Sequence, residues 1–306
     1  MAWRSVMVTR PSYLKLKQEA LKVEQEDGEV SVPLEDISVL LLDNPRITLT
    51  TQLLSACAER QIAVITVGAD HHPNGVLLPH LPHSRALKVM NKQLAMAQPQ
   101  RKRLWQGLVR RKIRNQGGVL RHYGDERTGK RLTAMADEVK SGDSRNAEAQ
   151  ASRLYFPALF GLGFGRKQKR FHNAALNYGY AVIRAALSRN LVSYGFITAI
   201  GLHHRNEQNS FNLADDFIEP FRPLLDAYLL KQFPDEESEG LTPSHKAALV
   251  NILHQDIPMI DPDGVKTYSS VLAATETVVV SMSQRLNDGG NRLLLPLFEP
   301  VQTLGP

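Results

Sequence analysis

The 306-residue sequence contains a single cysteine, Cys57. An intrachain disulfide is therefore impossible, and the fold must form without cross-links. Cys57 lies in an apolar run at residues 53–58, which gives a catalytic thiol little support, so we interpret it as a core residue. The hydrophobic fraction of 42% is ordinary for a globular protein and is sufficient for such a core.

Long apolar stretches are also missing. No run approaches the ~18 consecutive apolar residues that indicate a membrane span. The N-terminal segment lacks the basic start, apolar stretch and small-residue cleavage site of a secretory signal. We therefore expect a cytoplasmic protein with no membrane partner. Internal repeats and heptad arrays are absent as well.

The N-terminal part of the chain is rich in strand patterns. Leu21 and Val23 face Val30 and Val32 across the dipeptide Asp27-Gly28, which favours a hairpin turn because both of its residues tolerate positive φ. Further strands are predicted at residues 5–8, 13–17, 37–42, 47–50, 62–67 and 76–78, with one helix at residues 51–60. We predict a small, mostly β domain over residues 1–80.

Beyond residue 80 the apolar residues recur at spacings of three and four, which is typical of helices. Helices are predicted at residues 87–97, 104–113, 147–156, 174–187, 217–230 and 271–286. These patterns predict a larger, all-helical domain over residues 81–306. The expected fold class is therefore α+β, with the β domain first.

Positive charge is concentrated in one segment. The whole chain has a formal charge of +6, but residues 101–131 contain eleven Lys and Arg against Asp125 and Glu126, a net charge of +9. A helical face carrying this charge can neutralise DNA phosphates without reading base sequence. We interpret the segment as a DNA-binding face; the alternative is a solvated helix. The candidate DNA-binding residues are Arg103, Arg110, Arg111 and Arg114.

A histidine and two carboxylates form the strongest chemical signal, in residues 201–223. Asp216 and Glu219 are three residues apart, which places them on one face of a helix and directs them to the same point. With a histidine of the His203-His204 pair they would provide nitrogen and oxygen ligands for Mn²⁺ or Mg²⁺, or for Zn²⁺. A helix-capping carboxylate and a surface histidine would produce the same pattern, so the spacing alone leaves both interpretations open.

Two prolines follow these carboxylates. Pro220 and Pro223 supply no backbone N–H, so a helix that continues through them should bend at Asp216 and Glu219. The alternative is that the helix ends near Ile218. Elsewhere, Glu148 is a candidate third ligand among small residues, although on its own it is also compatible with an exposed helix position.

At these residues the chain resembles CRISPR-associated protein one, the family of integrases that acquire new spacers. The similarity lies in residues 146–156, in the phrase Asn177-Tyr178-Gly179-Tyr180, and in residues 201–223, which follow a β domain of suitable size. It covers nearly the whole chain. Residues 212–223 are most similar to members that accompany type II effector nucleases.

The resemblance implies a homodimer whose β domain contacts the other subunit and partners, and whose helical domain holds a divalent ion, Mg²⁺ or Mn²⁺. It assigns the metal ligands to Glu148, His204 and Glu219, with Asp216 as a nearby fourth acidic group. His204 is preferred over His203, although the doubled histidine leaves room for an error of one residue. Glu219 stands where some members have aspartate, which preserves oxygen ligation but changes the reach of the side chain.

The implied function is metal-dependent insertion of short DNA duplexes into a CRISPR array, by attack of a 3′-hydroxyl on the repeat DNA. The implied partners are protospacer and repeat DNA and a small companion, CRISPR-associated protein two. Two other functions remain open from the residues alone. One is a metal-dependent nuclease that repairs branched DNA, and the other is a non-catalytic DNA-binding scaffold.

Overall fold

The structure is a computed structural model that describes residues 4–68, 73–80, 83–234, 236, 238, 240–261, 263–288 and 293–299. Its N-terminal part contains eight strands and one helix in the described residues: β1 (Arg4–Val8), β2 (Tyr13–Lys17), β3 (Ala20–Gln25), β4 (Gly28–Pro33), β5 (Ile37–Leu42), β6 (Thr48–Leu49), α1 (Thr51–Glu59), β7 (Ala63–Val67) and β8 (Pro73–Leu77). All the strands predicted for this part are present.

These strands form two four-stranded sheets, one in the order β1-β5-β7-β8 and the other in the order β4-β3-β2-β6. In the second sheet, Leu21 pairs with Val32 and Val23 with Val30 across the turn at Asp27, as the apolar pattern predicts. Cys57 of α1 is fully buried between the sheets' apolar residues, which confirms that it is a core residue. Burial raises the pKa of its thiol to about 11.

Strand β5 is buried on both faces, and its alternate residues enter two different cores. Leu40 and Leu42 pack with α1 and the second sheet. Val39 and Leu41 pack instead with the helices that follow. The period of two along a strand explains this division, because successive side chains point to opposite faces. Strand β5 therefore contributes side chains to the cores of both parts of the chain.

The rest of the chain is mainly helical. Its helices are α2 (Ala86–Leu94), α3 (Gln98–His122), α4 (Glu126–Glu138), α5 (Ala147–Phe160), α6 (Phe171–Ser193), α7 (Asn212–Ile218), α8 (Arg222–Gln232), α9 (Pro243–Val250) and α10 (Val271–Asp288). None of the helices in the described residues is long and apolar enough to cross a membrane. The expected order, a strand-rich part followed by helices, is confirmed, while residues 81 and 82 at the predicted domain boundary lie outside the described residues.

The C-terminal part is not all-helical as predicted. It also contains a three-stranded sheet of β9 (Asp256–Ile260), β10 (Lys266–Ser270) and β11 (Leu295–Pro296), with β9 in the centre. Pro258 lies inside the central strand and lacks the N–H that a strand normally donates. Because of this proline, the sequence pattern did not indicate a strand here. Strand β11 has only two residues and is defined by its pairing with β9, which is distant in the sequence.

Helices α6 and α8 approach each other closely at Gly179. A Cβ atom added there would lie 2.6 and 2.7 Å from the two Cδ atoms of Leu225, so any other residue would require the Leu225 side chain to move. The contact brings Tyr180 of α6 to the side of α8 that carries Arg222 and Asp226. This close packing favours glycine at position 179 of the segment Asn177-Tyr178-Gly179-Tyr180.

Candidate functional site

Glu148 and Glu219 meet at one cation, the ammonium group of Lys112. Lys112 Nζ lies 2.5 Å from Glu148 Oε1 and forms a second ion pair with Glu219 Oε2. Lys112 comes from the middle of α3, Glu148 from the first turn of α5, and Glu219 from the short 3₁₀ turn between α7 and α8. Three separate helical segments thus converge on one charged point.

Local interactions hold the two carboxylates in place. The buried carboxylate of Asp143 accepts hydrogen bonds from the backbone N–H groups of Ala147 and Glu148, at 2.7 and 3.0 Å, and so fixes the start of α5. On the other side, α7 ends at Ile218 and the chain continues as one 3₁₀ turn before α8 begins at Arg222. The α-helix therefore ends at Ile218, as the second interpretation of the prolines predicts, and Glu219 begins the turn that contains Pro220.

The environment keeps Glu219 ionised although it is buried. Burial alone would raise the pKa of Glu219, but the positive charges of Arg222 and Lys112 lower it to about 2. Arg222 Nε donates to Glu219 Oε1 at 2.8 Å. Burial would lower the pKa of Lys112, but the carboxylates of Glu219 and Glu148 raise it. At neutral pH, Glu219 is therefore ionised and Lys112 is protonated.

Asp216 has a different role from Glu219, although the sequence suggested that both carboxylates point to one place. Its fully buried carboxylate accepts hydrogen bonds from the backbone N–H groups of Leu202, His203 and His204 at 2.5, 3.1 and 3.2 Å. It also lies 2.8 Å from His204 Nδ1, and this hydrogen bond raises the pKa of His204. Asp216 therefore shapes the histidine loop and orients its imidazole.

A glycine makes this loop conformation possible. A Cβ atom added at Gly201 would lie 2.8 Å from Asp216 Oδ2 and would also collide with the backbone carbonyl of His204. Only glycine lets the loop wrap this closely around the carboxylate. This geometry explains the glycine at position 201.

The two adjacent histidines have different surroundings. The ring of His203 stacks on Trp105 of α3, with centroids 4.3 Å apart and an interplanar angle of 1°. His204 contacts the same indole edge-on at 5.6 Å. Because Nδ1 of His204 faces Asp216, its Nε2 is the nitrogen left to bind a ligand. This arrangement distinguishes His204 from His203.

The donor set fits a hard divalent cation. Two carboxylates already share one positive charge, and a carboxylate that holds Nδ1 of a histidine is a common arrangement behind metal-binding imidazoles. Within the described ranges, however, no three acidic, histidine or cysteine side chains are grouped closely enough to hold a metal ion by themselves. Lys112 lies between Glu148 and Glu219 and forms an ion pair with each of them.

Lys112 was missed in the sequence because it was counted with the basic segment. Helical spacing would have identified it: Lys112 is about one turn from Leu108 and two turns from Trp105, on the apolar side of α3. A lysine on the apolar side of a helix requires buried acidic partners. Arg222 was also missed, although it lies between the two prolines that follow the end of α7.

Three of the four predicted DNA-binding arginines lie on the opposite side of α3 from Lys112. At about 100° per residue, Arg103, Arg110 and Arg114 are roughly opposite Lys112. Two of them are engaged by α4: Arg110 donates to the Val139 carbonyl at 3.1 Å, and Arg114 pairs with the Asp137 carboxylate at 2.5 Å.

Arg103 and Arg111 line a groove of about 190 Å³ together with Arg285 of α10. Burial and the neighbouring charge of Arg114 lower the pKa of Arg111 to about 10. Burial, followed by the charge of Arg103, also lowers the pKa of Arg285. Arg285 is isolated in the sequence, so only the structure adds it to this basic groove.

Comparison with known proteins identifies relatives of the whole chain. The family model described as CRISPR associated protein Cas1 matches residues 6–240. The CRISPR-associated endonuclease Cas1 of Neisseria meningitidis serogroup C (strain 8013) is 41% identical over 304 residues, covering 99% of this chain and 98% of that protein.

Solved structures have the same fold. A casposase bound to integration product has a TM-score of 0.77 at 16% identity, covering 95% of this chain and 92% of that chain. A Cas6-RT-Cas1--Cas2 complex gives a TM-score of 0.73 at 18% identity, covering 94% of this chain and 35% of that chain. These similarities confirm the predicted fold class, a β-rich part followed by a helical part.

Proposed function

The chain belongs to the Cas1 family of CRISPR-associated proteins, and from this premise we propose that it is a metal-dependent DNA integrase and endonuclease that inserts short duplexes into a CRISPR array. The Neisseria relative is named an endonuclease, and the casposase structure contains an integration product. Both activities break or exchange phosphodiester bonds. Insertion is the proposed activity, and DNA cleavage is the same chemistry with water as the nucleophile.

The observation that carries the proposal is the convergence of Glu148 and Glu219 on one positive charge. A histidine that Asp216 orients lies within electrostatic range of Glu219, which helps to raise its pKa. We propose that Glu148, His204 and Glu219 hold one Mg²⁺ or Mn²⁺ ion and that Asp216 holds His204 in the required tautomer. When bound, the ion supplies positive charge that stabilises the scissile phosphate and the leaving 3′ oxygen.

The chain's own contribution is positioning. Glu219 is held between Lys112 and Arg222, and Glu148 is fixed at the start of α5, so both carboxylates are oriented before substrate arrives. Glu148 keeps 31% and His204 40% of its side chain exposed, so DNA can reach the cluster at these residues. Transesterification of this kind depends on alignment and charge neutralisation and requires no covalent enzyme intermediate.

DNA is proposed to bind along α3. The candidate residues Arg103, Arg110, Arg111 and Arg114 lie on one side of this helix, with Arg285 completing the groove. Only one acidic residue, Asp261, is among the described residues of that groove. The excess of positive charge supports a phosphate-binding surface that carries no base specificity.

The proposed partners are protospacer and repeat DNA, a second copy of this chain, and the companion CRISPR-associated protein two. The similar Cas6-RT-Cas1--Cas2 structure is an assembly that includes a Cas2 protein, which supports the last partner. We further propose that the protein acts in the cytoplasm, where the CRISPR array and the DNA substrates are located.

The decisive experiment offers a short duplex with free 3′-hydroxyl ends to a supercoiled plasmid that carries a repeat. Mg²⁺ or Mn²⁺ and the companion protein are present, and covalent insertion products are scored on a gel. The changes Glu148→Ala, His204→Ala and Glu219→Ala should each abolish joining, because each removes stabilisation of charge that develops only during bond exchange. Binding to DNA should remain nearly intact, since the basic surface supplies it.

His203→Ala is the matched control, because its ring stacks on Trp105 and is not held by Asp216. Joining should survive in this variant. Robust joining by the Glu148→Ala protein would contradict the proposal, and loss of joining only in the His203→Ala protein would move the ligand by one residue. Cleavage of branched DNA without any insertion would favour the repair nuclease.

A further inference from the structure

A second cluster of positive charge lies beside the carboxylate site, in a cavity of about 310 Å³. Its described lining residues come from α6, α7, α8, the segment before α6, and β8, and they include Arg166, Arg184 and Arg222, with Tyr180 and Asp215. Arg222 belongs to both places, because its Nε donates to Glu219 Oε1 at 2.8 Å. A group bound in this cavity would therefore lie next to Glu219.

The positive charge in this cavity exceeds its negative charge. Three guanidinium groups face one carboxylate, Asp215, among the described lining residues, and of the three Arg222 is also paired with Glu219. Arg184 Nη1 lies 3.7 Å from Asp215 Oδ1, at the long end of the ion-pair range, and Asp215 also accepts a hydrogen bond from Asn209 at 2.6 Å. Arg184 is thus only weakly neutralised.

The partners of Arg166 are neutral. Its two terminal nitrogens donate to the amide oxygens of Asn173 and Asn177, at 2.7 and 2.8 Å. These hydrogen bonds orient the guanidinium without cancelling its charge. A cation that is fixed in place by neutral acceptors remains available to an anion.

An aromatic ring holds two of the guanidinium groups together. The Arg222 guanidinium lies 4.5 Å and the Arg166 guanidinium 5.6 Å from the centre of the Tyr180 ring, within the range of cation–π attraction. The hydroxyl of Tyr180 is anchored on the buried carboxylate of Asp226. The ring therefore keeps two like charges close to each other, which is favourable when an anion binds between them.

We propose that this cavity binds a phosphate group of a DNA strand, held by Arg166, Arg184 and Arg222. Guanidinium groups match phosphate because their planar N–H donors pair with two oxygens at once. The volume is at the lower end of the ~300–1,000 Å³ of ordinary ligand pockets, which suits one phosphate with its sugar and excludes a duplex. The identity of the ligand as DNA rests on the proposed function; the binding of a phosphate does not.

The test measures binding without divalent ions, so that joining cannot contribute. A fluorescent single strand is titrated in EDTA at several salt concentrations with the unaltered protein and with the double variant Arg166→Gln/Arg184→Gln. Arg222 is left unchanged because it contacts Glu219. The double variant should bind about tenfold more weakly, and its salt slope should fall by about 0.7 for each lost phosphate contact, the value for single strands.

Two arms identify the source of the phosphate. Strands with a terminal phosphate and strands with terminal hydroxyls are compared: a loss confined to the former assigns the cavity to a strand end, and an equal loss for both assigns it to an internal phosphodiester. In a parallel measurement, pyrophosphate should raise the melting temperature of the unaltered protein more than that of the double variant. Circular dichroism verifies that the variant is folded.

The control is the double variant Arg46→Gln/Arg85→Gln, which removes the same charge from two exposed positions outside the cavity. It should bind almost as the unaltered protein does. The proposal is overturned if the Arg166/Arg184 variant retains affinity, salt slope and the response to pyrophosphate, or if both double variants lose the same amount. A protein that fails to join DNA but shows the expected binding loss would disprove the proposed function and leave the phosphate site standing.

Discussion

Nδ1 of His204 lies 2.8 Å from Oδ1 of Asp216, and the same carboxylate accepts hydrogen bonds from three consecutive backbone N–H groups of the histidine loop. One buried group therefore fixes both the loop and the imidazole. Because Nδ1 carries the donated proton, Nε2 presents its lone pair away from Asp216. The position of Asp216 explains why a fourth acidic residue accompanies the three proposed ligands.

The change Asp216→Asn should weaken Mn²⁺ binding by about 10–100-fold, the usual effect of removing a residue that orients a metal-binding histidine. The exposed Glu207→Gln serves as the control from the same loop. Isothermal titration calorimetry with Mn²⁺ measures both. An affinity equal to that of the unaltered protein would show that His204 needs no orienting partner.

The change Lys112→Met removes the ammonium group from between Glu148 and Glu219. Without metal, the free energy of unfolding should fall by about 3–5 kcal/mol, because two carboxylates lose a buried partner. Mn²⁺ should then raise the melting temperature more than it does in the unaltered protein, since the ion no longer competes with Lys112. Thermal unfolding with and without Mn²⁺ measures this difference.

The exposed Lys130, which pairs with Glu126 one helical turn away, provides the control as Lys130→Met. Its ion pair is solvated, so neither stability nor the response to Mn²⁺ should change appreciably. Equal shifts by Mn²⁺ in the Lys112→Met and unaltered proteins would argue against a shared position for the ammonium group and the ion.

The double change Arg103→Gln/Arg285→Gln should weaken binding to all duplexes alike and lower the salt slope by about one for each lost phosphate contact. These residues are better choices than Arg110 and Arg114, which bond to the end of α4. Fluorescence anisotropy at several salt concentrations gives the slope. The exposed pair Arg127→Gln/Arg131→Gln on α4 is the control, and an unchanged slope in the first variant would reassign the groove to a protein contact or to solvent.

Much of the fold could be predicted from local patterns. Strand alternation and the Asp27-Gly28 turn predicted the hairpin with its pairing, and apolar spacing predicted the main helices. The prolines indicated an end of the α-helix near Ile218, because the loss of backbone N–H groups is a local property. Such features depend on neighbours within a few residues.

The rest depends on contacts between distant segments. The pairing of β11 with β9 and the meeting of Lys112 with Glu148 and Glu219 are set by the packing of helices, which no short window of sequence contains. The separation of the arginine side of α3 from its Lys112 side follows from helical geometry, but the segment's high charge hid it. A charged residue on the apolar side of a helix, such as Lys112, indicates a buried ion pair.

Asp226 provides a test of pH-dependent stability. Burial raises the pKa of this carboxyl from 3.8 to about 6, although Tyr180, Tyr155, Arg166 and Arg222 around it oppose the rise. Between these two values the folded protein retains a proton that the unfolded chain has released. The free energy of unfolding therefore decreases as the pH rises through about 4 to 6, and this contribution is constant above that window.

The change Asp226→Asn removes this titration. The stability of the variant relative to the unaltered protein should rise by about 2.4 kcal/mol between pH 4 and pH 7, most of the free energy equivalent of the pKa difference. Urea denaturation of both proteins at four pH values measures it. A stability difference that does not vary with pH would show that Asp226 has an ordinary pKa in the folded protein.

The buried ion pair between Lys246 and Asp43, at 2.9 Å, joins α9 to the end of β5. The change Lys246→Ala should lower the free energy of unfolding by about 3–5 kcal/mol, because it leaves a buried carboxylate without its cation. Lys266→Ala is the control: its ion pair with Glu299 is partly exposed and should contribute less than about 1 kcal/mol. A loss of similar size in both variants would contradict the assignment.

Strand β5 contributes Leu40 and Leu42 to one core and Val39 and Leu41 to the other. The strand-rich part and the helical part are therefore not expected to fold as separate fragments. A fragment that begins after residue 80 would expose the apolar surface that normally covers Val39 and Leu41, and it should aggregate. The N-terminal fragment would have the same exposed strand face. Heat or denaturant should accordingly unfold the chain in a single transition. Replacing either part during evolution would also require compensating changes in the face of β5 that contacts it.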